Sequence, residues 1–410
     1  MTAVAEPPPA PGAPARETVG AYARRWLTDV KAGELGSLPI IVGLVVIAIV
    51  FQTQNDRFLT ASNFVNLIVQ TAPYAVIAMG VTFALLLGEI DLSIGFVSGV
   101  GGVLTALLLT PDGNELPTVL ALAVALAAGL GIGTLHGLII TKVGVPSFVV
   151  TLAGLLAWNG VVLLLIGSEG TVILQNDFVI GLANDFVAPG LAWVLALVCV
   201  ALYAAIQLAR VRSRRRASLQ TDPWLIVGLR IGGLAAALAI LVAVANEDRG
   251  VPFALIVVGG LFLLWSFVLN RTTFGRHVYA VGGNAEAARR AGIDVDRVKI
   301  VCFAIVSFMA VLGGILLASR LRSVDTNTGG GQALLYPIAA AVIGGTSLFG
   351  GRGTMKAALL GALVMISIDN GLGLLGLSSG TKFVVTGGVL LLAVTVDSIS
   401  RKGRVHSGRA

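Results

Sequence analysis

Asp369 and Asn370, in the run ISIDNGLG, stand inside an apolar stretch. An ionised Asp near the centre of a lipid-embedded helix costs about 2.5–3.5 kcal/mol, so Asp369 has to face protein or a water-filled cavity. Two readings follow. Either the pair borders a solute path near its outer gate, at a local helix break where Asn370 and Gly371 free backbone groups, or it makes a structural bond between helices. Trp158 and Asn159 set an aromatic face beside an amide. That pairing suits a sugar, whose C–H faces stack and whose hydroxyls need donors and acceptors, although packing is its commoner use. In GEIDLSIG, Asp91 can cap the helix that follows, while Glu89 and Asp91 can also contact a partner or a basic loop such as residues 210–216. His136 reads as a polar contact rather than a proton relay.

Other chemistry is excluded. The three histidines are scattered and both cysteines, Cys199 and Cys302, lie in apolar runs, which leaves no metal, haem or disulfide constellation. No nucleophile, metal or paired acid and base is visible, so the chain is not read as an enzyme. The phosphate-binding pattern G-x-x-x-x-G-K-[ST] is absent: GGRGTMK has the wrong spacing, and GGGQALL lacks the acidic strand that should follow. The chain binds no nucleotide or other cofactor by this reading.

The elements that position these residues are membrane spans. The 410 residues are 56% apolar, with a mean hydropathy of +0.93, too greasy to cover a soluble surface. Continuous rather than alternating apolar runs exclude a β-barrel and specify an all-α polytopic membrane protein. About twelve spans fit, with ten to twelve admissible: 37–53, 64–88, 92–110, 117–140, 146–166, 189–209, 224–245, 251–270, 298–319, 335–350, 354–377 and 382–398. The Gly-rich 92–110 and the short 335–350 are candidates for broken or re-entrant segments. Residues 1–36 form a tail without a cleavable signal pattern, disordered at its tip with a surface helix at 21–30; residues 399–410 form a second tail.

Charge gives the orientation. With the N-terminus in the cytoplasm, inner segments hold 22 Lys and Arg and outer loops five, so both termini are read as cytoplasmic. The outer loop 167–188 carries Glu169, Asp177 and Asp185 and is too short for a domain. The net charge of +7 is a matter of topology and lipid contact, not nucleic acid. The basic run RVRSRRRASLQ needs only anionic lipid to explain it. GGTSLFGGRG reads as a tightly packed or re-entrant element near a dimer axis, or as a helix seam.

Residues 282–297, GGNAEAARRAGIDVDR, are six-sixteenths charged between two apolar runs. Asn284 is a good N-cap, Ala285, Glu286, Ala287, Ala288, Arg289 and Arg290 favour helix, and Gly292 suits the stop position. Two turns are unstable alone, so the segment packs against something or rests as a solvated loop on headgroups.

EAARRAG resembles the EAA–three residues–Gly signature of the cytoplasmic coupling helix in ABC importer permeases. Its flanks, FGRHVYAVGGNAEAARRAGIDVDRVKI and PIAAAVIGGTSLFGGRGT, with GEIDLSIG and VPSFVVTLAGLL upstream, resemble the permease subunits of bacterial monosaccharide importers of the ribose, galactose and xylose group. The resemblance covers residues 58–400. Glu89 before IDLS, and an extra block around RVRSRRRASLQTDP and NEDRGVP, resemble the xylose importers in particular. It implies a homodimer in the bacterial plasma membrane, spanning 37–398, with a coupling loop at 271–297. It also implies a cytoplasmic ABC ATPase that binds ATP and magnesium, and a periplasmic or extracellular sugar-binding protein. The alternatives are another sugar or nucleoside as cargo, or an ion-coupled sugar carrier.

Overall fold

The computed structural model describes residues 18–31, 37–111 and 116–406. Its helices are α1 (Val19–Lys31), α2 (Leu38–Gln54), α3 (Ala61–Leu86), α4 (Ile94–Leu108), α5 (Thr118–Leu138) and α6 (Ser147–Ile166). After them come α7 (Asp177–Asn184), α8 (Pro189–Arg216), α9 (Trp224–Asn246), α10 (Phe253–Arg271) and α11 (Thr273–Gly283). The last are α12 (Ala285–Arg290), α13 (Val295–Leu321), α14 (Gln332–Ile343), α15 (Met355–Leu374) and α16 (Ser379–His406).

Every expected apolar stretch contains a helix, although 335–350 is helical only as far as Ile343. Eight are long and apolar enough to cross a membrane: α3, α5 with its π-helical extension Ile139–Val143, α6, α8, α9, α10, α13 and α15. The helices α2, α4 and α14 and the segment Ser379–Leu392 are apolar but shorter. At 1.5 Å per residue, the 12 residues of α14 reach only ~18 Å. It stops at Gly344 and Gly345, the latter at φ +98°, and a non-helical stretch leads to α15.

Some boundaries differ from expectation. Residues 271–297 contain α11 as well as α12, and α16 runs on to His406 through most of the expected tail. The surface helix at 21–30 is α1; the rest of the N-terminal tail, residues 1–17 and 32–36, and the last four residues lie outside the described residues.

Capping sets many starts. Thr60, Asn176, Thr272, Asn284, Asp294 and Thr354 each accept a backbone N–H from three residues on, opening α3, α7, α11, α12, α13 and α15. The helices α5, α6, α9 and α10 begin directly after Pro117, Pro146, Pro223 and Pro252. Proline lacks the N–H a helix would use and pushes the preceding residue toward extended backbone, so each gives a sharp start.

The chain divides into two compact units, Met1–Gly36 with Val187–Val251, and Ser37–Phe186 with Pro252–Ala410. The smaller contains α1 and the packed pair α8 and α9. It corresponds to the extra basic block and its flanking apolar runs. Within it the Arg230 guanidinium donates to Asp222 at 2.8 Å and to the Tyr22 hydroxyl at 3.2 Å.

In the larger unit, α13 packs against α3, α4 and α5. The most apolar windows of α3 and α13 are 78% and 67% buried, against 28% for α5 and α6, which separates core helices from peripheral ones. Lipid gives no hydrophobic drive for helix association, so close packing has to supply it. A Cβ on Gly133 of α5 would lie 2.2 Å from the Phe303 carbonyl oxygen, and one on Gly314 of α13 would lie 1.9 Å from that of Ser98. At one end of this unit, strand Thr171–Ile173 pairs antiparallel with Ser323–Asp325, and Asn184 donates to the Ser319 carbonyl at 2.7 Å.

These contacts predict that Gly133→Ala destabilises the protein by about 1–3 kcal/mol through overpacking. Gly131→Ala on the same helix, where a Cβ meets nothing within 4 Å, should be neutral or slightly stabilising. Thermal unfolding in detergent separates the two; equal effects would contradict the packing account.

Candidate functional site

The charged helix α12 begins at Asn284, whose side chain accepts the Ala287 N–H at 2.9 Å. At its other end Gly292, at φ +85°, donates to the Arg289 carbonyl at 3.0 Å and Ile293 donates to that of Ala288 at 3.0 Å. This is a Schellman stop, with glycine at the position that requires a left-handed backbone. Ala288 is buried and Ala285 half-buried, which seats the helix, while Glu286, Ala287, Arg289 and Arg290 are exposed. Glu286 pairs with Arg290 at 3.1 Å and Arg289 at 3.6 Å along the same face. The arrangement is a short rigid knob with small residues between charges. It carries no reactive group.

What holds the knob is backbone contact. The α11 helix leading into it places Gly282 where a Cβ would be 1.7 Å from the carbonyl oxygen of Leu86, the last residue of α3. That same oxygen accepts the Gly351 N–H at 2.8 Å. The Tyr279 hydroxyl donates to the Gly353 carbonyl at 2.8 Å, and burial pushes its phenol pKa up, so it remains a neutral donor. GGTSLFGGRG is thus a non-helical wedge between α14 and α15, packed against the end of α3 and against α11.

Ion pairs extend the joint. Lys299 on α13 binds Glu89, which also accepts from the Ser147 hydroxyl at the start of α6. Asp296, one turn earlier, takes Lys142 at 3.0 Å and Arg289 at 3.7 Å. Glu89 therefore finds its basic partner, Lys299, inside the larger unit. Asp91 also differs from expectation. The cap position of α4 is Ser93, and Asp91 accepts the Ser93 N–H at 2.8 Å and its hydroxyl at 2.6 Å, closing a turn just ahead of the helix.

Trp158 and Asn159 do not stand together as a free aromatic–amide pair. The Trp158 indole N–H donates to His136 Nε2 at 3.2 Å, tying α6 to α5. His136 Nδ1 and Asp91 Oδ2 are both buried without a hydrogen-bond partner. Asn159 is half-buried.

Asp369 and Asn370 separate. The α15 helix runs unbroken through them to Leu374, so ISIDNGLG is not a helix break; Gly371 instead makes room for the Phe51 ring of α2. Asn370 faces α3, where it and Asn63 exchange amide hydrogen bonds at 2.9 and 3.0 Å. Asp369 faces α14 and α16. Its Oδ1 accepts from Gln332 and from the Tyr336 hydroxyl, both at 3.0 Å, and lies 3.8 Å from Lys382 Nζ. Sequence reasoning missed Lys382, Gln332, Tyr336 and Lys299. The placement of Lys382, near the start of an apolar helix rather than in a loop, was the one available signal.

With this geometry in view, the family model described as "Branched-chain amino acid transport system / permease component" matches residues 63–394, and the chain belongs to that family. It is a multi-pass membrane permease. It is 35% identical to the xylose transport system permease protein XylH of Escherichia coli (strain K12) over 382 residues, 92% of this chain and 95% of that protein. XylH of Haemophilus influenzae is 34% identical, with 89% and 98% of the two chains covered. The ribose import permease protein RbsC of Escherichia coli (strain K12) is 31% identical, with 92% and 96% covered. No solved structure gives a significant match.

If the Glu89–Lys299 pair ties α3 to α13, a double-mutant cycle with Glu89→Gln and Lys299→Met should give a coupling energy of about 1–3 kcal/mol in unfolding experiments. A coupling near zero would make the pair incidental.

Proposed function

We propose that this chain is the membrane-spanning subunit of an ATP-driven importer that moves xylose into the cell. It works as a homodimer in the bacterial plasma membrane with twelve spans and both termini in the cytoplasm. A separate cytoplasmic ATPase, which holds ATP and magnesium, grips α12, and a sugar-binding protein delivers cargo to the opposite face. The carrying observation is the construction of α12: exposed and charged on one side, but continuous through backbone contact with the end of α3. A push on this knob displaces packed helices, because interiors packed like crystals transmit displacement. Its rim charges supply register with the partner.

The full-length similarity to XylH supports the cargo. Ribose is the second reading, favoured by the RbsC similarity. An ion-coupled carrier is disfavoured because the two charges deepest within apolar helices each have an opposite charge nearby: Arg230 meets Asp222 at 2.8 Å, and Asp369 lies 3.8 Å from Lys382. Asp369 borders the route near its outer gate. It lies about one and a half turns from the end of α15, beside the first residue of α14 and the fourth of α16.

Two measurements test this. In a Cys199→Ser background, Ala287→Cys should react with an impermeant thiol reagent only when the cytoplasmic face is open; labelling from outside intact cells overturns the orientation. In cells containing the ATPase and binding protein, xylose uptake should survive an uncoupler and stop on ATP depletion. The double variant Arg289→Glu and Arg290→Glu should reduce uptake by at least about tenfold at unchanged membrane levels, because reversed rim charges oppose docking. Uptake unaffected by the reversal removes α12 from the coupling role.

A further inference from the structure

We propose that Asp369, Lys382 and Gln332 form a polyol-binding site, in which the outer Asp369 oxygen and the Lys382 ammonium take hydroxyls of the transported sugar. The inference rests on the proposed sugar-import function and deepens it.

The arrangement around Asp369 is lopsided. Gln332 Nε2 and the Tyr336 hydroxyl both donate to Oδ1, and Lys382 approaches that same oxygen. Among the described residues nothing donates to Oδ2. At 3.8 Å, Lys382 Nζ is also beyond hydrogen-bonding distance of the carboxylate. A charged acceptor and a charged donor thus stand side by side, each with unused capacity. The side chains of Lys382 and Asp369 are 21% and 16% exposed, so the place can be reached from outside the protein.

The neighbouring residue shows what a purely structural contact looks like on this helix. Asn370 and Asn63 close on each other at 2.9 and 3.0 Å and are buried, with no capacity facing outward. A pair serving only to join α15 to α16 would close in the same way, because an open charge pair in low dielectric forfeits the attraction that offsets its desolvation. The gap between Asp369 and Lys382 fits a third group that both donates and accepts. A sugar hydroxyl does both, and adjacent hydroxyls on a ring can bridge a carboxylate oxygen and an ammonium together.

The rest of the site suits a monosaccharide. Gln332 holds the carboxylate through one amide atom, while its Oε1 lies 3.5 Å from the Tyr74 hydroxyl, at the limit of a hydrogen bond. The buried rings of Tyr74 and Tyr336, with centroids 5.7 Å apart, back the cluster. The exposed ring of Phe383 lies within 3.8 Å of the position a Gly331 Cβ would occupy, one residue before Gln332, and gives an apolar face for sugar C–H groups. The site draws on α3, α14, α15 and α16, so its occupancy depends on how these helices stand relative to one another.

The test uses the assembled importer in proteoliposomes, with radiolabelled xylose and ribose as probes. Lys382→Met and Gln332→Ala should each lower xylose transported per ATP hydrolysed by about tenfold, as expected for loss of one hydrogen bond to a charged group. Binding-protein-stimulated ATP hydrolysis should stay near wild type, and the ratio of xylose to ribose transport should change. Lys382→Arg should restore most of the coupling. Two results overturn the site: unchanged transport in both variants, or an equal loss of transport for both sugars together with ATP hydrolysis, which marks a structural role. Wild-type protein that transports neither pentose instead refutes the importer reading itself.

Discussion

The carbonyl oxygen of Leu86 is the point on which the larger unit turns. It ends α3, accepts the Gly351 N–H, and stands where Gly282 has no side chain to interpose. Three segments far apart in sequence thereby meet through backbone atoms at this oxygen. A joint made from long side chains absorbs displacement by rotamer changes. A joint made from backbones cannot, because the soft dihedrals lie within the helices and wedge it connects. Glu89, three residues past Leu86, then adds Lys299 of α13, so the two most buried long helices are both attached within a few residues of the knob.

The same economy governs charges inside apolar surroundings. Lipid cannot solvate an ion, and each unpaired one at a helix centre costs about 2.5–3.5 kcal/mol on insertion scales. Asp222 answers Arg230, Lys299 answers Glu89, and Lys382 stands opposite Asp369. Only the first pair is local in sequence. The others join separate elements, Lys299 of α13 with the segment after α3 and Lys382 of α16 with α15. Small residues then set how close neighbouring helices come, as Gly133 does against Phe303.

This division explains what could be read from the chain. The apolar lengths locate the helices because a membrane span is a local property, and Asn284 and Gly292 mark α12 because caps act within three or four residues. The helix α7 and the strands Thr171–Ile173 and Ser323–Asp325 are too short to show a period, and the pairing of those strands spans some 150 residues. Partners at long range leave no local trace either: nothing around Glu89 points to Lys299, and nothing around Asp369 points to Lys382. The Asn–Gly step in ISIDNGLG suggests a break by local propensity, yet tertiary contacts hold it helical, with Asn63 taking the Asn370 amide and Phe51 filling the space above Gly371.

Asp369 and Asn370 show how one helix can serve two seams. Successive residues on a helix point about 100° apart, so the two side chains necessarily meet different neighbours. Toward α3 the amide pair is closed and buried, and separating those helices would strand both amide oxygens and the Asn370 amide nitrogen at several kcal/mol each in a dry environment, while Asn63 Nδ2 keeps the Phe58 carbonyl. Toward α14 and α16 the contacts run through longer side chains that keep some access from outside, and parting them exposes groups that water or a polyol can satisfy. The α14 helix is also the shortest of the apolar helices and ends at Gly344 and Gly345, the second of which adopts a backbone that other residues strain to reach. The α3–α15 seam is thus closed by paired amides and the α14–α15 seam by backbone approach, since a Cβ on Gly361 would lie 1.8 Å from the Ala340 carbonyl oxygen; the seam left with unused polar capacity is the one toward α16.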